Sequence, residues 1–378
     1  MKSPRVANIV LNNFTGDNRV YKTAHTLKEA GFDVQIVGLL KGNVPKHDDA
    51  DGIPVYRVRV RSMALPEGFL FGAIKYLEII ARMVLKYRKA DIWHCNDFEI
   101  FFMGIIAKLT RPSLTLIYDS HEYQAERYGK HPIERGFIRL IERTFLGWST
   151  AFITVSKGIA QEYQRLYRVQ NPVIVFNAPH AVDVEPNDIL RSTFDLPPEA
   201  TLFLYQGGLA VSRGIELLLD TFEALEGTDL HLILMGSGTH QGLCEEVARR
   251  CSHVHHHPPV PYADLLRYTA SADVGIISTQ NLCLNNWFCM PNKLFEYIQA
   301  GIPILCNNLH DCEIIIEDYG IGRIIPEYTQ EHLTAQLFAM HTEDRARYTA
   351  GLKKAQSAFH WDQEAEKLRT IYGPLTSI

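Results

Sequence analysis

Residues 6–39 read VANIVLNNFTGDNRVYKTAHTLKEAGFDVQIVGL. A short apolar run is followed by a polar loop, a helical stretch that stops at Gly31, and a second apolar run. Short apolar runs that alternate with helices indicate a parallel sheet covered on both faces. Working outward, the alternation continues: DIWHCN, LTLIYDS and AFITVS are further strands with helical stretches between them.

The rhythm pauses at NAPHAVDVEPNDILRSTFDLPPEA, residues 177–200, which carries four prolines and no clear period. That segment reads as a linker. The alternation then restarts with strands LFLYQG, LHLILMG, DVGIIS and IPILC and helices IELLLDTFEAL, LCEEVARR and NKLFEYIQA. The expected organisation is two doubly wound α/β domains, residues 1–178 and 179–358, followed by a final segment, 359–378. Ligands of such sheets sit beyond the carboxyl ends of the strands, so two of them facing each other make a cleft.

The composition agrees with that size. The chain has 378 residues, 46% of them hydrophobic, and a net charge of −5, which gives nucleic acid no global attraction. None of the seven cysteines forms a CxxC pair, and several lie in apolar runs, which suits reduced core thiols. The amino terminus lacks the pattern of a signal peptide. The longest apolar segment, 68–89, carries Lys75, Glu78, Arg82 and Lys86. It reads as a mostly buried helix with one narrow polar stripe, and its four charges argue against a membrane span. A cytoplasmic protein is expected.

Dinucleotide and ATP chemistry are disfavoured. The loop after the first strand has one glycine, Gly16; MGSG (Gly236, Gly238) lacks the third glycine of a Rossmann fingerprint, and no GxxxxGK[ST] occurs. In MPNKLFEYIQAGIPIL, residues 290–305, Glu296 is the one carboxylate, and Pro291, Asn292, Lys293 and Leu294 stand at the mouth of a helix. Pro in the first turn and an early Glu serve helix formation alone. A helix amino terminus is equally an anion site, with Glu296 accepting from sugar hydroxyls. The loops with Gly207, Gly208 and Arg213, with Gly236, and with Pro291–Lys293 all follow strands of one sheet. An Arg, a glycine turn and a helix mouth at one sheet edge suit a diphosphate. In the first domain Asp17 and Arg19, then His94, Asn96 and Asp97, then Asp119, His121 and Glu122 follow three strands.

On these motifs the chain resembles the retaining GT-B glycosyltransferases of family 4. The matching pieces are GDNRVYKTAHTLKEAGFDVQIVG, ADIWHCND, YDSHE, ITVSKGI, VFNAP, YQGGLAVSRGIELLLDTF, ADVGIIS, PNKLFEYIQAGIPIL and FHWDQEAEKLRTIY. The resemblance implies a GT-B fold, two Rossmann-like domains facing a cleft, with the final helix crossing back to the first. It implies sugar transfer from a nucleotide-sugar donor, held mostly by the second domain, to a glycan or lipid-linked acceptor on the first. The setting would be polysaccharide or glycoconjugate synthesis, with no metal and no other cofactor. It assigns donor binding to Gly16, Gly208, Arg213, Gly236, Val260, Pro291, Asn292, Lys293, Leu294 and Glu296. Glu296 would meet the ribose and Val260 the base. It assigns catalysis to His121 and Arg213, with Asp17 or Asp97 orienting the acceptor, and the acceptor side to Arg19, Asn96 and Glu122.

Two departures stand out. Phe288 occupies the first glutamate of the family's E-x7-E motif, and the usual Arg-then-Lys pair is reduced to Arg213, leaving Asn285, Asn286 and Lys293 as substitutes. The competing readings are a sugar-nucleotide epimerase of the same fold and a catalytically silent sugar-nucleotide binder. Adjacent histidines in HVHHH, 253–257, point to opposite faces of a strand and do not make a metal site. Residues 126–148 carry Arg127, Lys130, Arg135, Arg139 and Arg143 opposite Ile133, Phe137, Leu140 and Ile141. Such a helix suits either a solvated surface or an anionic membrane surface, with the protein peripheral on its inner face.

Overall fold

A computed structural model describes residues 3–376. The chain divides into two compact units, Met1–Phe176 with Glu364–Ile378, and Asn177–Gln363. The first contains β1 (Arg5–Ile9), α1 (Asn18–Glu29), β2 (Asp33–Leu39), β3 (His47–Asp49), β4 (Pro54–Val58), α2 (Phe69–Tyr87), β5 (Ile92–Asn96), α3 (Asp97–Thr110), β6 (Thr115–Ser120), α4 (Pro132–Phe145), β7 (Ala151–Thr154), α5 (Lys157–Tyr167) and β8 (Val173–Ile174). Its strands lie in the order β3-β4-β2-β1-β5-β6-β7-β8. Among the described pairs β3–β4 alone is antiparallel, at the edge.

The second unit contains α6 (Ile189–Phe194), β9 (Thr201–Gln206), α7 (Ile215–Ala224), β10 (Leu230–Met235), α8 (Gln241–Arg250), β11 (Val254–His257), α9 (Tyr262–Thr269), β12 (Val274–Ile277), α10 (Leu284–Trp287), α11 (Asn292–Ala300), β13 (Ile304–Asn307), α12 (His310–Tyr319), β14 (Gly322–Ile325), α13 (Gln330–Thr342) and α14 (Thr349–Ala358). Its strands order as β11-β10-β9-β12-β13-β14. Every residue of β9 and β10 is buried, as expected of central parallel strands covered on both faces. The last helix, α15 (Trp361–Tyr372), belongs to the first unit from Glu364 onward. Glu364 there accepts from the Phe176 N–H at 2.8 Å, and the Tyr372 hydroxyl meets His94 Nδ1 at 2.8 Å.

Strand order reverses at β1 in the first sheet, between β2 and β5, and at β9 in the second, between β10 and β12. These are the switch points where the crevice of a parallel sheet opens. Both sets of candidate residues lie at the carboxyl ends of the strands there.

Two local expectations are corrected. The proline-rich linker contains α6, whose Leu190 is fully buried. And α2 is not a buried helix with a polar stripe outside. Its charges turn onto the preceding loop: Glu78 accepts from the Arg61 and Ser62 N–H groups at 3.0 and 2.7 Å and pairs with Arg82, and Lys75 Nζ donates to the Pro66 carbonyl at 3.2 Å. Leu70, Ile74, Leu77 and Leu85 face outward instead, Leu70 at 74% and Leu77 at 64% exposure. Backbone donors left free by the loop draw Glu78 in, and the apolar stripe is what remains outside.

The turns after β9 and β10 lie backbone against backbone. A Cβ at Gly236 would fall 1.9 Å from the Gly207 carbonyl oxygen, and the Gly207 N–H bonds to the Met235 carbonyl at 2.9 Å. Gly236→Ala should therefore destabilise the protein by roughly 1–3 kcal/mol, the cost of forcing atoms into a packed site. A urea midpoint equal to that of the wild type would show that the two turns separate freely.

Candidate active site

In the second unit a pocket of about 260 Å³ opens at the carboxyl ends of β9 and β10. Gln206, Gly207, Gly208, Gly236, Ser237, Val260 and Glu296 are among its lining residues. Glu296 is almost wholly buried on α11, and Gln206 Nε2 donates to its Oε2 at 2.5 Å. Thr269 Oγ1 in turn donates to Gln206 Oε1 at 2.8 Å, so the carboxylate is held in one orientation. The absence of side chains at Gly207, Gly208 and Gly236 leaves backbone to form the wall.

Two cations stand beside this pocket. Arg213 is exposed in the turn before α7, and among the described residues no carboxylate pairs with it. Lys293 opens α11 with its Nζ 3.4 Å from the centroid of the Tyr205 ring. Burial, followed by the Arg213 charge, pushes the Lys293 ammonium down to about 7 against the pull of Glu296. Asn292 and Lys293 also open the helix, where N–H groups lack an intrahelical partner. The arrangement has uncompensated positive charge and a helix amino terminus next to a fixed carboxylate.

The first unit has the opposite arrangement, a closed charge network. Asp119 at the end of β6 accepts from Arg19 Nε and Nη2 at 3.0 and 2.6 Å. Its Oδ2 lies 3.2 Å from His94 Nε2 and 3.4 Å from His121 Nε2. Burial works against the Asp119 charge, but Arg19 and the imidazoles outweigh it and hold the carboxyl well below its usual range. Asp97 sits at φ +67°, an uncommon backbone for a non-glycine residue. Its Oδ1 accepts from the His121 N–H at 2.9 Å and from Gln124 Nε2 at 2.7 Å. His121 thus stands between two carboxylates. Burial opposes its charged form, but Asp97 and Asp119 overcome this and hold it above the ordinary histidine value.

Residues 16–179 match the family described as Glycosyl transferase 4-like domain, and residues 200–342 match Glycosyl transferases group 1. The chain belongs to the GT-B glycosyltransferases, family 4-like group. A D-inositol 3-phosphate glycosyltransferase of Xylanimonas cellulosilytica is 23% identical over 259 residues, covering 62% of this chain and 59% of that relative. A sucrose-phosphate synthase from Thermosynechococcus elongatus superposes with a TM-score of 0.77 at 16% identity, over 99% of both chains. The Anabaena protein HepE, in complex with UDP and glucose, gives 0.74 at 15% identity, over 99% of this chain and 100% of that one. At these identities the structural likeness establishes the fold.

For a glycosyltransferase of this group, the structure sorts the sequence-derived candidates. Gly208, Gly236, Val260 and Glu296 line one pocket, with Arg213 and Lys293 beside it. Leu294 departs from expectation: its side chain is in the core, and its N–H is spent on the Pro291 carbonyl at 3.0 Å. Asn292 accepts from Asn177 Nδ2 at 3.1 Å. Gly16 lies in the first unit, in an exposed turn at φ +75°. Asp17 caps α1 by accepting from the Val20 N–H at 3.2 Å. Arg19 and Asn96 are not surface groups. Both are buried, Arg19 on Asp119 and Asn96 donating to Asn8 Oδ1 and the Ile9 carbonyl at 2.7 and 2.8 Å. Glu122 pairs with Arg127. Asn286 is turned onto the Gln280 carbonyl at 2.8 Å, which leaves Lys293 as the second cation. Phe288 stacks edge-on with His310, ring centroids 5.7 Å apart.

In the basic helix α4 and the turn before it, several of the cations are already paired. Arg135 and Arg139 both pair with the buried Glu126, and Lys130 pairs with Glu134. Sequence reasoning missed Gln206, whose place between strand LFLY and Gly207 was the available signal, and Tyr372, which nothing local marks.

Asp119→Ala would leave the buried Arg19 charge without its carboxylate, with only the Val175 carbonyl still accepting from it, at a cost of about 3–5 kcal/mol. Because the folded carboxyl titrates below its unfolded value, its contribution is present above about pH 4 and is lost as pH falls through the folded value. Urea unfolding of the variant checks this. A loss under about 1 kcal/mol would mean that Arg19 finds another acceptor.

Proposed function

We propose that the protein transfers a sugar from a nucleoside-diphosphate sugar to a glycan or lipid-linked acceptor, with retention of anomeric configuration and without a metal. The observation that carries the reading is the second-unit pocket, where a fixed buried carboxylate stands beside two cations that, among the described residues, form no ion pair with a carboxylate. Glu296 accepts from the ribose hydroxyls, backbone near Val260 meets the base, and Arg213, Lys293 and the opening N–H groups of α11 take the diphosphate. The bond between the anomeric carbon and the β-phosphate oxygen breaks as a bond to the acceptor oxygen forms on the same face. The acceptor's proton goes to the leaving phosphate. Negative charge grows on that phosphate, and fixed cations placed where charge develops lower the barrier. His121, held between Asp97 and Asp119, is the first unit's hydrogen-bond donor to the reacting groups. Its carboxylate neighbours favour the charged, donating form.

A thermal-shift panel of UDP-, GDP-, ADP- and dTDP-sugars identifies the donor, since a ligand that binds the folded form stabilises it by mass action. With that donor, Glu296→Ala should weaken binding by roughly 1.5–3 kcal/mol, the worth of hydrogen bonds to a charged acceptor. Unchanged affinity by calorimetry, with the fold intact, would remove Glu296 from the site.

A lipid-linked acceptor and an anionic membrane surface are favoured by one feature of the first unit. Ile133, Phe137 and Leu140 of α4 are exposed, Ile133 at 77%, as are Leu70, Ile74, Leu77 and Leu85 of α2. Phe102 of α3 joins the two helices, its ring centroid 5.6 Å from Phe137 and 6.5 Å from Tyr76. Two acidic groups of these helices are withdrawn, Glu78 onto the preceding loop and Glu142 inward, accepting from the Tyr118 and Tyr163 hydroxyls at 2.9 and 2.6 Å, while the exposed Glu134 of α4 is paired with Lys130. Arg143 remains outside. Among the described residues no helix is long and apolar enough to cross a membrane, so docking would be peripheral, and the implied setting is the cytoplasmic face. Each large side chain buried in lipid contributes about 1.5–3 kcal/mol, a term salt does not screen. The protein should therefore co-sediment with phosphatidylglycerol-containing vesicles even at about 1 M salt, where the Debye length is about 3 Å. The triple variant Leu70→Gln, Leu77→Gln, Ile133→Gln should remain in the supernatant and still bind donor. Wild-type protein that ignores the vesicles would point to a soluble acceptor.

A further inference from the structure

Lys293 is at 9% exposure. A buried ammonium is ordinarily paired, but among the described residues no carboxylate or carbonyl holds this one. Its Nζ lies over the Tyr205 ring from β9 and faces the Gly207 turn, where an added Cβ would lie 3.8 Å away. The other groups that act on it are Arg213 from the turn before α7, Glu296 one turn along α11, the Cys289 thiol ahead of α11 and the Cys306 thiol of β13. Glu296 is already engaged by Gln206. So a nearly buried, unpaired amine points into the mouth of a nine-residue helix, next to a second unpaired cation.

We propose that Lys293 couples nucleotide capture to proton uptake: its amine becomes fully charged only when a diphosphate enters the site beside Arg213. This rests on the diphosphate reading given above and adds to it a proton that travels with the ligand.

The physical argument is one of compensation. In the empty site burial and the Arg213 charge both disfavour an ammonium, and the balance leaves it titrating at about 7. The Tyr205 ring attracts a cation, but this is the smaller effect. A diphosphate reverses the local field, because an anion within contact distance favours the charged amine and offsets the repulsion from Arg213. The bound form then holds more protons than the empty one. By linkage, affinity falls as pH rises between the empty-site and bound values, at most about tenfold per pH unit. Capture is favoured below neutrality, and departure of the nucleoside diphosphate is favoured above it.

The test is calorimetry of UDP, GDP, ADP and dTDP, with uridine, guanosine, adenosine and thymidine as phosphate-free arms. Each is titrated at pH 8 in buffers of differing ionisation enthalpy, where the phosphates carry no titrating proton. An amine titrating at about 7 is about one-tenth charged at pH 8, so the nucleotide that binds should take up close to one proton, about 0.9. The matching nucleoside should take up none. Lys293→Arg should bind the nucleotide with no proton uptake, since guanidinium is always charged. Lys293→Met should bind more weakly, also without uptake. Binding by the wild type with no proton exchange from pH 6 to 9 overturns the proposal and leaves the diphosphate site standing. The same uptake in Lys293→Arg would assign the proton to another group and equally overturn it. Failure of all four nucleotides to bind overturns both this proposal and the reading beneath it.

Discussion

The Asp119 carboxylate organises the first unit. It is buried at the end of β6, takes two hydrogen bonds from Arg19, and lies within reach of His94 and His121. An unpaired charge at that depth would cost several kcal/mol, so the elements that carry its partners are fixed together: α1 through Arg19, β5 through His94, and α15 through Tyr372 on the far nitrogen of His94. Arg19 also donates to the Val175 carbonyl at 2.7 Å, which ties in the chain after β8. His121 is the one member of the set on a partly exposed loop. The network therefore holds a single imidazole at the edge of a buried assembly, with its Nδ1 3.7 Å from Asp97 and its Nε2 3.4 Å from Asp119.

The second unit solves a different problem. The anion site proposed here works only if its own cations are not neutralised in advance, since the ligand would otherwise have to break those pairs first. Arg213 and Lys293 remain unpaired beside a carboxylate whose acceptor capacity Gln206 partly occupies. Such charge repels itself, and Lys293 relieves the repulsion by burial against Tyr205 and a weakened hold on its proton. The stability lost by leaving these groups open is regained when ligand binds, which is the logic of electrostatic preorganisation.

Much of this arrangement is legible in the residues. Parallel strands buried on both faces read as unbroken apolar runs, so VANIVL, LFLYQG and LHLILMG announce both sheets. The rule that ligands sit at carboxyl ends then picks out Gly208, Gly236, Asp97 and His121 without coordinates. What fails is any inference that depends on which partner wins a polar group. Arg19 and Asn96 sit at the right edge but are consumed by Asp119 and Asn8, one 100 and the other 88 residues away in sequence. Arg135 and Arg139 read as a basic face because Glu126 precedes their helix and its burial has no local signature. In each case the deciding contact is long-range or set by a loop, and periodicity carries no information about it.

The helix α2 shows the same limit from the apolar side. Its sequence contains a charged stripe and a wider apolar surface, and the usual assignment puts the charges in water. Here the segment before the helix offers backbone N–H groups at Arg61 and Ser62, and the Glu78 carboxylate near the middle of α2 satisfies both. Two charge-assisted hydrogen bonds are worth about 1.5–3 kcal/mol each, comparable to burying a leucine or two. Satisfying the backbone wins because those donors have no other acceptor, whereas exposed leucines lose only the burial they would have gained. The exposed apolar stripes along α2 and again along α4 are what that choice leaves outside, and the membrane docking proposed above would supply the missing apolar cover without requiring a matched shape.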